Sequence, residues 1–178
     1  MQDGNPLVDF RFVRKGDERG FPSFTCTVPV PSNREIGGRW VKGESLHPYP
    51  WELLVQRLIR HSALYLSSDN WIRLGVTDEG HVATYCAVAR KSVDVFEVAI
   101  IAVSSSYQGR GLGRDALADA IRCARAQSAR DGVQAQFVAY VDTRNERSAR
   151  LFHDFGFEPV KRLDPDRRGN VFVVWALK

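Results

Sequence analysis

The chain has 178 residues, 44% of them hydrophobic and 26% charged, with a formal net charge of +4 and a pI near 9.1. That length builds one domain with a substantial core, and the composition excludes disordered, fibrous and disulfide-stapled classes. No apolar run reaches the ~20 residues of a membrane helix, and the polar start Met1-Gln2-Asp3-Gly4-Asn5 lacks a signal-peptide profile, so a cytoplasmic protein with no membrane partner is expected.

The cysteines, Cys26, Cys86 and Cys123, form no CxxC pair, and His47, His61, His81 and His153 form neither HExxH nor an i,i+4 pair. No metal site is therefore expected, and Cys86 and Cys123, set in apolar patterns, read as buried thiols. The mildly basic balance suits an anionic small ligand. Acids are interleaved with the bases almost everywhere, and the lack of a concentrated basic stripe argues against a nucleic-acid partner.

In chain order, Leu7 to Phe12 alternates and predicts a short strand. Phe24, Cys26, Val28 and Val30 alternate too, but Pro29 and Pro31 limit that piece to an edge strand or an extended loop. Ser32 to Pro50, with paired glycines and embedded Trp40 and Tyr49, predicts a long, partly ordered loop, either functional or a floppy insertion. Trp51 to Leu66 has the spacing of an amphipathic helix. Trp71 to Val76 and His81 to Ala89 form a hairpin around Asp78-Glu79-Gly80, and Val95 to Val103 is a further strand. Arg114 to Asp131 is a helix with an apolar face, ended by Gly132. Gln136 to Val141 is a strand, Asn145 caps another helix that Gly156 stops, and Phe157 to Val160 and Val171 to Leu177 are the last strands. There is no repeat and no domain boundary. The class is α+β (mixed α/β): a mostly antiparallel sheet of about seven strands with helices inserted.

Between the strand ending at Val103 and the helix lies Gln108-Gly109-Arg110-Gly111-Leu112-Gly113. Three glycines at alternate positions, on a turn into a helix N-terminus, free several N–H groups to converge on one spot where the helix dipole adds positive charge. That is a phosphate socket. Gly111-x-Gly113-x-x-Ala116 formally fits the dinucleotide fingerprint. However, five residues separate strand from first glycine, and the expected acid about 20 positions on is missing. No GK[ST] follows, so a nucleoside-triphosphate loop is excluded.

Gln108-x-x-Gly111-x-Gly113 resembles the (Gln/Arg)-x-x-Gly-x-(Gly/Ala) signature of the GNAT superfamily of acyl-CoA-dependent N-acyltransferases. Ala102-Val103, Tyr107 and a second motif of Asn145, Ala149, Phe152 and Gly156-Phe157 resemble the family too, and the element order matches from Trp71 to Lys178. The resemblance implies one domain over residues 1–178. Residues 71–178 would hold acetyl-CoA, and residues 1–70 would shape the acceptor side. It implies a twisted sheet splayed at the cofactor slot and no metal. Backbone N–H groups from Gln108, Gly109, Arg110, Gly111, Leu112, Gly113 and Arg114 would grip the pyrophosphate. Arg110 and Arg114 would add charge, or Arg114 would be a solvated helix residue. Ile101, Ala102 and Val103 would pair with the pantetheine arm and offer an N–H to the thioester oxygen. Asn145 would bond the arm, act as a plain N-cap, or do both.

The implied activity is transfer of acetyl from acetyl-CoA to a primary amine, on a small molecule or a protein, by direct attack in a ternary complex. An amine of pKa ~10 must lose a proton first. Glu97, eleven positions before Gln108, resembles the general-base glutamate of the histone-acetyltransferase branch; otherwise it is an outward residue paired with Arg90 or Lys91. Phe152 departs from the family, many of whose members carry a proton-donating Tyr there, so Phe152 would pack on the arm instead. Tyr140, Tyr107 or water would then stand in as acid, or no donor is needed. Trp40, Tyr49 and Trp51 would line the acceptor site, unless Trp51 is core. Two alternatives stay open: a non-catalytic acyl-CoA-binding or regulatory domain, and a toxin-like acetyltransferase acting on aminoacyl-tRNA. A homodimer is compatible with the resemblance.

Overall fold

The computed structural model describes residues 7–62 and 67–178. Its frame is a seven-stranded sheet in the order β1-β4-β5-β6-β7-β9-β8. The strands are β1 (Val8–Phe12), β4 (Asn70–Thr77), β5 (Val82–Arg90), β6 (Val95–Val103), β7 (Gln136–Asp142), β8 (Glu158–Arg162) and β9 (Phe172–Leu177). Every neighbouring pair is antiparallel except β6 and β7. That exception follows from the 19-residue helix α2 (Leu112–Arg130), which carries the chain back across the sheet so that β7 runs alongside β6. This is the mixed α+β class expected.

Two cores flank the sheet. On one face α2 and α3 (Glu146–Phe155) cover Phe96, Leu117, Phe137, Phe152 and Phe157. On the other, α1 (Pro50–Arg60) and the segment before it cover Phe21, Phe24, Leu74, Tyr85 and Ala102, with Ile59 of α1 fully buried. Helix α1 starts with Pro50 at its first position, where a missing N–H costs nothing, and buries Leu53, Gln56 and Ile59. The predicted helix from Trp51 to Leu66 is therefore shorter than expected. It closes at Arg60, and residues 63–66 lie outside the described ones.

Of the two readings of Phe24 to Val30, an edge strand or an extended loop, the structure takes the second. The segment runs extended beside α1, with the Cys26 N–H bonded to Gln56 Oε1 at 2.9 Å rather than to a sheet. The loop from Ser32 to Pro50 contains a small hairpin, β2 (Arg34–Ile36) and β3 (Arg39–Val41), and a 3₁₀ turn at Gly43–Leu46. Gly37 and Gly38 turn the hairpin with φ of 58° and 77°, which other residues adopt only at a cost. Three-residue strands are too short to show an alternation in sequence. Among the described residues, no helix is long and apolar enough to cross a membrane.

Candidate active site

The site begins where the sheet forks. The parallel ladder between β6 and β7 runs only from Val95–Gln136 to Glu97–Val138. Beyond it β6 stays paired with β5 as far as Val103, and β7 with β9 as far as Asp142. The facing edges of β6 and β7 therefore part and present backbone donors and acceptors to a slot. A bulge opens the fork. Val88 pairs with Val98 and Ala87 with Ile100, leaving Ala99 as one extra residue in β6. An extra residue bends a strand and reverses its alternation. Phe96 and Val98 accordingly face the α2 side, whereas Ile100 and Ala102 face the α1 side.

At the far end of β6 the glycine turn takes the shape its sequence requires. Gly109 and Gly111 have φ of 76° and 79°, and a Cβ at either would stand in open space. Gly111 is the N-cap of α2 and has no side chain to satisfy the first N–H groups of the helix. Helix α2 starts at Leu112, two residues before the expected Arg114, so Gly113 sits in its first turn, where a Cβ would lie 3.5 Å from Val103. The Gln108 side chain points back into the protein, donating to the carbonyls of Cys26 at 2.9 Å and Val103 at 3.1 Å.

Helix α3 supplies the opposite wall. Asn145 Oδ1 accepts from the Ser148 N–H at 3.1 Å, so its N-cap role is met. Asn145, Ser148 and Phe152 follow at helical spacing along the cavity. Phe152 is buried edge-on against Phe157, with centroids 5.0 Å apart.

Slot, glycine turn, α3 and α1 enclose one cavity of about 1170 Å³. Of the residues expected at the site, Ile101, Ala102, Val103, Gln108, Gly109, Gly111, Leu112, Gly113, Asn145 and Phe152 all line it. Arg110 and Arg114 do not; Arg110 lies over the Tyr107 ring, 5.9 Å from its centroid, and Arg114 is exposed. Glu97 does not line it either. It lies below the fork, in the paired part of β6, with its carboxylate 3.2 Å from Lys91 Nζ. Tyr107 and Tyr140 both reach the lining, and the Tyr107 hydroxyl stands 3.2 Å from His81 Nδ1.

The acceptor-side aromatics separate. Trp51 lines the cavity, and Tyr49 packs edge-on against it at 6.0 Å. Trp40 is 76% exposed on the hairpin and lies outside the lining.

Charged lining residues that sequence reasoning missed are Glu44, Glu52 and Arg57 beside α1, Asp142 and Arg144 at the end of β7, Arg147 on α3, and Arg168 between β8 and β9. The Arg144 guanidinium grips Asp142 through two hydrogen bonds of 2.8 and 2.6 Å, holding that carboxyl below the usual aspartate range against the opposing effect of burial. Arg144 also bonds Asn170 at 2.8 Å and lies over the Trp51 ring. The Cys26 thiol, facing the cavity, is pushed up to about 12 by burial and by the nearby Glu52 charge.

The glycine turn at a helix start, the bulged strand and the forked parallel pair all lie within the stretch that a family model matches. The model of the acetyltransferase (GNAT) family matches residues 40–157, about two thirds of the chain. The chain belongs to the GNAT acetyltransferase family. No curated protein matches it in sequence. Among solved structures, a protein of this family from Desulfovibrio desulfuricans shares 18% identity, with 96% of this chain and 98% of that one covered and a TM-score of 0.67. A GNAT acetyltransferase from Elizabethkingia anophelis with acetyl-CoA bound shares 13%, covering 97% and 98%, with a TM-score of 0.61. Spermidine N-acetyltransferase from Vibrio cholerae, in complex with CoA and spermine, shares 13%, covering 96% and 95%, with a TM-score of 0.63. At these identities the solved structures speak for the fold alone.

Proposed function

We propose that this GNAT protein transfers an acetyl group from acetyl-CoA to a primary amine within one ternary complex, with residues 71–178 holding the cofactor and residues 1–70 walling the acceptor side. The observation that carries this is the continuity of the cavity from the uncapped N-terminus of α2, past the β6 fork, to the α1 wall. The cofactor fits these residues. Gly109 and Gly111 leave open space where side chains would intrude, and the first N–H groups of α2 suit a pyrophosphate. The free edge of β6 at Ile101, Ala102 and Val103 suits an amide-bearing arm, and Asn145 and Phe152 flank it from α3. The Elizabethkingia protein's bound acetyl-CoA agrees with this assignment.

When bound, acetyl-CoA supplies an activated carbon with which an uncharged amine forms a C–N bond as the C–S bond breaks and the thiol departs, one amine proton going to solvent before attack and the other following attack. The residues' tasks follow from their places. The β6 edge near the bulge presents a backbone N–H where negative charge develops on oxygen. Phe152 excludes water and donates no proton. A thiol of pKa ~8.5 leaves without full protonation, so the missing donor slows the transfer by at most the ~10²–10⁴ that general acids contribute. Glu97 fits the base role less well than sequence suggests, since it lies outside the cavity and faces Lys91.

Calorimetry with coenzyme A and thiol release from acetyl-CoA across a panel of amines test this function. Tight binding with turnover is the expected result. Phe152 favours a second reading, an acyl-CoA-binding domain without catalysis, and binding without thiol release for any amine would establish it. Lack of binding would overturn both.

A further inference from the structure

Resting on that acetyl-transfer reading, the charges at the cavity mouth narrow the acceptor. Two of the three acids in the lining are already engaged. Asp142 is gripped by Arg144, its side chain only 4% exposed, and Glu44 pairs with Arg57. Glu52, in the first turn of α1, differs. Its Oε2 accepts from the Thr27 hydroxyl at 2.8 Å, while its Oε1 meets Arg147 Nη1 at 3.8 Å, too long for a hydrogen bond. Glu52 is held in place, with 17% of its side chain exposed, whereas the Arg147 side chain is 71% exposed and lies over the Tyr49 ring, 5.8 Å from its centroid. Arg168 stands in the same lining, and Leu54 and Leu58 of α1 turn half-exposed apolar side chains to it.

We infer that the acceptor is a zwitterion, an apolar amino acid or a compound of the same pattern, entering between Glu52 and Arg147 with its ammonium on Glu52 and its carboxylate on Arg147. A loose ion pair is the arrangement such a guest replaces without stranding a charge. The ammonium completes the idle oxygen of Glu52, and the carboxylate takes the guanidinium in the two-pronged geometry that arginine favours. Leu54 and Leu58 receive the apolar side chain. A polyamine brings further positive charges into a mouth where Glu44 and Asp142 are already taken up by Arg57 and Arg144, and where Arg147 and Arg168 face Glu52 alone. Acceptor choice here therefore departs from that of the spermidine N-acetyltransferase with the same fold.

The test compares L-leucine, L-methionine, L-phenylalanine and L-tryptophan with their decarboxylated amines and with spermidine, by thiol release from acetyl-CoA. At least one amino acid is expected to exceed its own amine in kcat/KM by about tenfold or more, with spermidine lowest. Arg147→Gln brings that ratio toward one and Arg147→Lys restores part of it, while Glu52→Gln raises KM for amino acids and amines together. Coenzyme A affinity by calorimetry shows that each variant keeps its cofactor side. Amines or spermidine preferred over every amino acid, or a ratio that survives Arg147→Gln, would overturn the inference while leaving the transfer reading intact. No thiol release with any amine removes both.

Discussion

The side-chain amide of Gln108 donates to the backbone carbonyl of Cys26, 82 positions earlier in the chain, at 2.9 Å. The same amide reaches the Val103 carbonyl, so one side chain fastens the acceptor-side segment to the end of β6 beside the glycine turn. Its backbone and its side chain thus serve different walls of one cavity. Removing it with Gln108→Ala deletes two hydrogen bonds worth about 0.5–1.5 kcal/mol each. The expected outcome is a stability loss of that order in urea denaturation and a raised KM for the acceptor. A variant matching the parent in both would show that the clasp does not set the acceptor wall.

Gly111 and Gly16 share a backbone condition and differ in place. Both have positive φ, 79° and 106°, and at both a Cβ would meet nothing within 4 Å. Alanine at either therefore costs about 1–2 kcal/mol of backbone strain with no clash. Gly111 caps α2 inside the cavity, whereas Gly16 lies outside the lining. Gly111→Ala and Gly16→Ala should lower the melting temperature by similar amounts, while only Gly111→Ala weakens coenzyme A binding in calorimetry. Equal affinities in the two variants would remove the pyrophosphate from this turn.

Arg73 of β4 and Asp119 of α2 form a buried pair, with side chains 7% and 6% exposed and contacts of 2.5 and 3.0 Å. Arg73 also donates to the Phe10 carbonyl at 2.6 Å and lies over the Phe12 ring, while Arg122 takes a second share of Asp119. Deleting Asp119 leaves the buried Arg73 without a carboxylate, at about 3–5 kcal/mol, whereas deleting Arg73 leaves Asp119 bonded to Arg122 and costs less. Asp119→Leu is expected to lose that much in urea denaturation, Arg73→Met less, and the double variant to recover most of the Asp119→Leu loss. Additive losses would mean that the pair is not coupled.

Much of this was legible in the sequence because it is written locally. The glycine turn, the Asn145 cap and the Gly156 stop depend on residues within a few positions of each other, and the order of elements along the chain agrees with the fold that the two motifs imply. What escaped depends on distance along the chain. No periodicity reveals that Ala99 is the extra residue of a bulge, although that bulge opens the fork. Glu97 looked well placed because its spacing to Gln108 is a sequence quantity. Whether it faces the cavity depends on where the β6–β7 ladder ends, and the ladder ends at Glu97 itself. Glu52 on α1, Arg147 on α3 and Arg168 in the turn between β8 and β9 are far apart in the chain, and only packing brings them to one mouth.

The grip of Arg144 on Asp142 makes stability depend on acid in a stated direction. The guanidinium's hydrogen bonds lower the Asp142 carboxyl from its ordinary 3.8, outweighing the rise that burial causes, and the Arg144 N–H adds a further bond. A carboxyl depressed in the folded state binds protons more readily when unfolded, so its contribution is fully present above about pH 4 and drains away as pH falls through the folded value. Asp17, lowered by Arg11, adds in the same sense. Asp142→Asn should therefore be less stable than the parent at neutral pH, and the gap should narrow when both are unfolded in urea near pH 3. The variant also frees Arg144, which otherwise bridges Asp142 and Asn170 and covers Trp51, so acceptor KM should rise at neutral pH even where the fold holds. A gap that stays constant from neutral pH to pH 3 would mean that the pair contributes through packing alone.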